Sequence, residues 1–261
     1  MNHPLDAVKC FLLDMDGTFY LGGQLIEGSL AFIDKVLATG RDFMFLTNNS
    51  SHNAAFYVQK LAGMGLSIDR SRVMTSGEAT CEKLSELYPG RRAFLLGNPF
   101  LEEEFREAGI PIDNENPDIV VIGFDTTLDY AKMQAVCDFV RAGLPYIATH
   151  PDFNCPTETG FMPDIGAIMA FIEASTGRRP DLIVGKPHTG IVEAVLRRTG
   201  LKAGELAMVG DRLYTDIETG LRSGMLSILV MSGETTEAML SESKTKPDLK
   251  FGRLSDMIPL L

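Results

Sequence analysis

Apolar runs of strand length alternate with helix-period segments along this chain, and several of the runs end on polar residues suited to chemistry. Val8–Leu13 ends at Asp14, and Phe43–Leu46 at Thr47-Asn48-Asn49-Ser50-Ser51. Leu182–Val184 stops just before Lys186, and Leu206–Val209 stops at Asp211. Strand and helix in alternation are the βαβ pattern of a parallel sheet. The carboxyl ends of such strands form one rim, and ligands bind there. The reading is α/β: a Rossmann-like, doubly wound parallel sheet. Its helices are expected from Ser29 (Leu30, Ile33, Val36 and Leu37 on one face, Gly40 as stop), over His52–Leu61, over Ile191–Thr199 and near Asp216–Arg222. Leu226–Val230 is a further buried run.

A second alternation fills the middle of the chain. Its expected strands are Ala93–Leu96, Ile119–Ile122 and Tyr146–Ala148, and its expected helices Glu78–Tyr88, Leu101–Ala108, Tyr130–Arg141 and Ile165–Ser175. That block is long enough to be a domain. The expected organisation is a core of residues 1–76 and 182–261 with a smaller α/β domain, 77–181, inserted. Thr75-Ser76-Gly77 and Gly177-Arg178-Arg179-Pro180 read as linkers.

Composition narrows the function. A net charge of -11 argues against nucleic acid and against anionic membrane as partners. It leaves room for a small anionic substrate where positive charge is gathered locally. The first apolar run breaks at Asp14, unlike a secretory leader, and no stretch approaches the roughly 20 apolar residues of a membrane span. Cys10, Cys81, Cys137 and Cys155 are scattered without a Cys-x-x-Cys pair, as expected of reduced thiols in a cytoplasm. A cytoplasmic enzyme, monomer or homodimer, is the expectation.

The residues Asp14-Met15-Asp16-Gly17-Thr18 follow directly on Phe11-Leu12-Leu13. Alternate side chains of a strand point the same way, so two carboxylates begin on one side of the chain. At an effective dielectric of about 20, like charges at roughly 4 Å repel by about 4 kcal/mol. A cation between them relieves this; a polar turn closing the strand is the plainer alternative.

Together with Thr47-Asn48-Asn49-Ser50, Gly185-Lys186-Pro187 and Gly210-Asp211-Arg212-Leu213-Tyr214-Thr215-Asp216, that first motif resembles the four motifs of the haloacid dehalogenase superfamily, in the same order. The insertion between the second and third motifs resembles the α/β cap of its nucleotidase-like and 4-nitrophenylphosphatase-like branch. The resemblance spans essentially the whole chain. It implies a Mg²⁺-dependent hydrolase, a phosphatase acting on a phosphomonoester of a small metabolite (nucleotide, sugar phosphate, phosphoglycolate or similar). A phosphotransferase or phosphomutase on the same core, and a catalytically idle metabolite-binding protein, stay open as alternatives.

Under this resemblance Asp14 is the nucleophile, forming an aspartyl phosphate. Asp16 is the general acid and later the base, a role that needs a raised pKa and a side chain clear of the metal. Asp14, Asp211 and the backbone carbonyl of Asp16 are the Mg²⁺ ligands. Asp216 orients the metal shell. Asp211 and Asp216 read alone are also a helix amino-terminal pair. Lys186 supplies a point charge to phosphate and Asp14, where a solvated loop lysine is the alternative. Thr47, Asn48 and Asn49 are phosphate-binding candidates at a helix start, a place where such residues also serve as ordinary caps. Gly22 and Gly23 read as a flexible turn for a moving cap, or as a plain hairpin turn. Residues 149–163, with His150, Asp152, Asn154, Cys155, Thr157 and Glu158, read as a long polar loop of the kind that carries function. The resemblance brings that loop to the leaving group and makes Cys155 a candidate substrate contact. Cys155-Pro156 stands where related pyridoxal phosphate phosphatases have His-Pro, a departure that speaks against pyridoxal phosphate. His3, His52 and His188 read as surface or capping residues.

Overall fold

Cys10–Leu13 is a strand buried at every position, as strands are when both faces of a parallel sheet are covered. It pairs in parallel with Leu206–Gly210 on one side and Asp42–Thr47 on the other. The six-stranded sheet runs in the order Leu249–Phe251, Leu226–Val230, Leu206–Gly210, Cys10–Leu13, Asp42–Thr47, Val73–Thr75. This is a computed structural model, and it describes residues 3–157 and 159–261. Glu158 of the polar loop lies outside the described residues. The chain divides into two units: one holds the chain up to Thr47 with Tyr57–Met74 and Lys186–Leu261, the other Asn48–Phe56 and Thr75–Gly185.

In the first unit, helix Ser29–Ala38 buries Ser29, Phe32, Ile33 and Val36, an i, i+3, i+4, i+7 stripe. Phe32 meets Phe11 edge-on at 5.4 Å. Each such apolar side chain contributes about 1.5–3 kcal/mol on burial. Leu37, expected on this face, is 45% exposed because the stripe is centred one residue earlier. The helix expected near Asp216–Arg222 is the short helix Glu218–Ser223, and a wide turn, Leu213–Ile217, leads into it. Asp216 and Ile217 both donate to the Arg212 carbonyl there, at 3.1 and 3.2 Å. Helix Ala54–Gly63 starts two residues later than the His52 expected, because Asn53 caps it by accepting from the Phe56 N–H at 3.0 Å. The Thr47–Ser50 run lies upstream of that cap.

The second unit has its own parallel sheet, ordered Leu182–Ile183, Tyr146–Ala148, Ile119–Ile122, Ala93–Leu96. Leu182–Ile183 therefore does not join the rim of the six-stranded sheet, contrary to the alternation. Its backbone is claimed by Tyr146–Ala148, and Asp181 extends the pairing by accepting from the Tyr146 N–H at 2.8 Å. Phe94, Ile122, Val136, Tyr146, Ile165 and Ile172 pack on this sheet. Ser50 accepts from the Phe124 N–H at 2.9 Å, and Asn98 donates to the Ser51 carbonyl at 2.8 Å, which ties residues 48–56 to this unit.

The segments read as linkers are structured. Ser76 opens helix Ser76–Leu87, capped by Thr75, and a Cβ on Gly77 would fall 2.0 Å from a Glu104 carboxylate oxygen. Arg178 donates to the Val140 and Leu144 carbonyls. The polar loop is an antiparallel hairpin, Asn154–Thr157 with Gly160–Pro163. Among the described residues no helix is long and apolar enough to cross a membrane.

Candidate active site

Leu13 ends the central strand, and its continuation is fixed by the Asp14 N–H donating to the Val209 carbonyl at 2.9 Å. Asp14 thus starts beside Asp211, one residue beyond the neighbouring strand Leu206–Gly210. One carboxylate oxygen from each of Asp14, Asp211 and Asp216 lies within 4.8 Å of the others. Lys186 Nζ stands between two of them, 2.6 Å from Asp14 Oδ1 and 2.7 Å from Asp216 Oδ1. The other oxygen of Asp216 accepts from the Arg212 N–H at 3.1 Å.

Lys186 is only 2% exposed, so it is not a solvated loop lysine. Burial opposes its charge, but Asp14 and Asp216 outweigh burial and hold its pKa above the ordinary lysine value. Asp216 is fully buried within its turn, which removes the simple reading as an exposed helix-start acid. Burial, then Asp14 and Asp216, push the Asp211 carboxyl up to about 7. Burial likewise raises Asp216, against Lys186. The cluster is short of positive charge.

Glycines make this crowding possible. Gly17 has φ +87°, and a Cβ there would fall 2.4 Å from Asp211 Oδ2. On another side of the same carboxylate, a Cβ on Gly233 would fall 2.0 Å from Oδ2. The Glu234 N–H donates to that oxygen at 2.7 Å, Thr18 Oγ1 to Oδ1 at 3.4 Å, and Thr235 Oγ1 to the Asp211 carbonyl at 2.5 Å. Ser232 Oγ donates to the Gly17 carbonyl at 2.7 Å, closing the cradle. The loop Ser232–Thr235 escaped the sequence reading. Its signal was present, since it is the polar stop after the apolar run Leu226–Val230.

Asp16 stands apart from the three clustered carboxylates. Burial raises its pKa and Asp14 adds to this, while Lys60, a Gly22 N–H and Arg212 work the other way. Gly22 and Gly23 form the turn of a small hairpin, Tyr20–Leu21 with Gln24–Leu25. Lys60 Nζ lies 3.9 Å above the Tyr20 ring, and Arg212 Nε pairs with Glu234 at 3.0 Å. Arg212 belongs to the fourth motif, whereas Lys60 lies outside all four.

Thr47 ends strand Asp42–Thr47 in the first unit and is buried. Asn48, Asn49 and Cys155 belong to the second unit. There Asn49 Nδ2 donates to Cys155 Sγ at 3.9 Å, and Asn48 Nδ2 to Asp152 Oδ2 at 3.1 Å. Cys155 is half-buried, whereas Cys10, Cys81 and Cys137 are buried, and among the described residues none of the four is in a disulfide. His3 Nδ1 accepts from the Leu5 N–H at 3.2 Å, and His52 stacks on Phe56 at 3.9 Å.

A family model described as haloacid dehalogenase-like hydrolase matches residues 11–111, and a second, HAD-hydrolase-like, matches residues 183–257. The chain is 38% identical over 251 residues to an acid sugar phosphatase of Staphylococcus aureus, covering 96% of each. It resembles the crystal structure of a 4-nitrophenylphosphatase from Thermotoga maritima with a TM-score of 0.97 and 48% identity, over 99% of each chain. A p-nitrophenyl phosphatase from Archaeoglobus fulgidus follows with a TM-score of 0.93 and 30% identity, over 97% of this chain and 99% of that one.

Proposed function

Because this chain belongs to the haloacid dehalogenase-like hydrolase family, we propose that it hydrolyses phosphomonoesters in two steps carried by Asp14, Asp16 and Lys186. It is an enzyme, a phosphatase acting on small phosphorylated substrates. Asp14 attacks phosphorus, the bond to the leaving oxygen breaks, and an aspartyl phosphate forms. Asp16, its proton affinity raised by burial, protonates the leaving oxygen and then takes a proton from the water that hydrolyses the aspartyl phosphate. Lys186 holds Asp14 in place and offsets its charge as the phosphoryl group arrives.

The donor set fits Mg²⁺: three carboxylates crowd within 4.8 Å, and Asp211 resists ionisation beside the other two. Asp14, Asp211 and the Asp16 carbonyl would hold the ion, and Asp216 would orient them. Bound Mg²⁺ supplies the charge neutralisation that lets a carboxylate approach a phosphate dianion.

Thr47, Asn48 and Asn49 are assigned to the phosphate and Cys155 to the rest of the substrate, with the inserted unit acting as the cap that selects it. The likeness to an acid sugar phosphatase supports sugar phosphates as the first substrates to test, with nucleotides and phosphoglycolate beside them. A cytoplasmic monomer or homodimer completes the proposal.

The observation that carries it is the Lys186 ammonium bridging Asp14 and Asp216. The test is phosphate release from an aryl phosphate and a metabolite panel, with and without Mg²⁺. Release that requires Mg²⁺ and disappears in Asp14→Asn is expected. Full activity in chelator, or in that variant, would refute the mechanism.

A further inference from the structure

The two oxygens of the buried Asp211 carboxylate have unequal surroundings. Oδ2 accepts from the Glu234 N–H at 2.7 Å, a short bond strengthened by the carboxylate charge. Backbone walls the same oxygen on two sides, since a Cβ on Gly17 would fall 2.4 Å from it and one on Gly233 2.0 Å. Oδ1 lies farther from the Gly17 position, 3.1 Å, and meets Thr18 Oγ1 at 3.4 Å, a long contact. Oδ1 is thus the less encumbered of the two.

The loop that supplies the N–H is tethered on both sides of it. The Glu234 carboxylate accepts from Tyr214 Oη at 2.9 Å and pairs with Arg212 Nε at 3.0 Å. Arg212 and Tyr214 belong to the same motif as Asp211, so Glu234 is fastened to the segment whose acid it contacts. Thr235 Oγ1 donates to the Asp211 carbonyl at 2.5 Å, and the Thr235 N–H adds a longer bond to it at 3.3 Å. Ser232 Oγ donates to the Gly17 carbonyl at 2.7 Å. Asp211 is therefore gripped by carbonyl and carboxylate at once, and turning its carboxylate means moving the loop.

Cations differ in what they ask of such a group. Ca²⁺ takes six to eight oxygens in a flexible shell and accepts both oxygens of one carboxylate, whereas Mg²⁺ is smaller and demands near-ideal octahedral geometry. We propose that the loop Ser232–Thr235 sets cation selectivity: the Glu234 N–H ties Asp211 Oδ2, leaves Asp211 a one-oxygen ligand, and so favours Mg²⁺ over Ca²⁺. This rests on the assignment of Asp211 to the Mg²⁺ site. Glu234 and Thr235 are positioning residues, acting on the ion through Asp211.

The test is calorimetric titration of the cation-free full chain with Mg²⁺ alone and with Ca²⁺ alone, so that binding is read without turnover. Glu234→Ala and Thr235→Val each remove one tether; Glu234→Gln and Thr235→Ser keep an acceptor or a hydroxyl in its place. Each disruptive variant is expected to raise the Kd of Mg²⁺ about tenfold and to leave that of Ca²⁺ within about threefold of the parent. The two conservative variants are expected to return the Mg²⁺ Kd to within about threefold of the parent. An unchanged ratio of the two Kd values in both disruptive variants, whether neither Kd moves or both rise together, would overturn the selectivity role and leave the Mg²⁺ site standing. Equal shifts in each conservative variant and its disruptive counterpart would overturn the tethers. A parent that binds no Mg²⁺ would overturn the site and the inference with it. The Glu234 side chain is exposed and Val matches Thr in shape, so the test does not depend on variants of the buried acids folding.

Discussion

Gly17 lies flat against the carboxylate of Asp211: a Cβ at its position would fall 2.4 Å from Oδ2 and 2.7 Å from the carboxyl carbon. The first and fourth motifs are therefore packed at van der Waals distance, although they stand far apart in sequence. Gly17→Ala is expected to displace Asp211 and to add roughly 1–3 kcal/mol of backbone strain from its φ of +87°. Thermal melting and Mg²⁺ titration of activity check this. A variant with parent-like melting and Mg²⁺ response would show that the carboxylate has room to move.

Lys186→Ala leaves Asp14 and Asp216 buried and facing each other without their shared ammonium. A loss of about 3–5 kcal/mol in stability is expected, together with loss of turnover. Lys186→Arg is not expected to rescue, because a planar fork does not fit between two oxygens arranged around a point charge. Chemical denaturation and phosphate release measure the two effects separately.

Asp16→Asn is expected to slow kcat by about 10²–10⁴-fold, the usual scale of general acid–base help. The deficit should be larger for alkyl phosphates than for aryl phosphates, whose leaving oxygen needs less protonation. An equal deficit on both would remove Asp16 from the role of proton donor.

The acidic cluster also sets a pH dependence for the metal-free protein. Asp211 is pushed up to about 7 from 3.8, so the folded state holds that proton more tightly than the unfolded state. Its favourable contribution is complete below about 3.8 and is lost as pH rises through 7. Mg²⁺ held there as proposed would compete with that proton, so the rise in Tm on adding Mg²⁺ should be larger at pH 8 than at pH 6. A shift independent of pH across that window would place the cation elsewhere.

The parallel α/β architecture is legible in the chain because short apolar runs, such as Cys10–Leu13 and the Phe43–Leu46 part of strand Asp42–Thr47, alternate with helices. Sheet membership is not legible, as Leu182–Ile183 shows: a two-residue strand has no pattern that says which backbone will pair with it. Asp14, Lys186, Asp211 and Asp216 announce themselves as polar stops or motif residues. Gly233 and Glu234 act through backbone against Asp211, and a backbone contact leaves only a weak trace in residue type. The hairpin Asn154–Pro163 was hidden for a related reason, since its exposed strands and prolines resemble a loop.

The most direct measurement is mass spectrometry of the enzyme quenched during turnover of an aryl phosphate. A phosphoryl adduct on the peptide carrying Asp14, absent in Asp14→Asn, is the expected result. Turnover without any adduct there, or an adduct on another residue, would contradict Asp14 as the nucleophile.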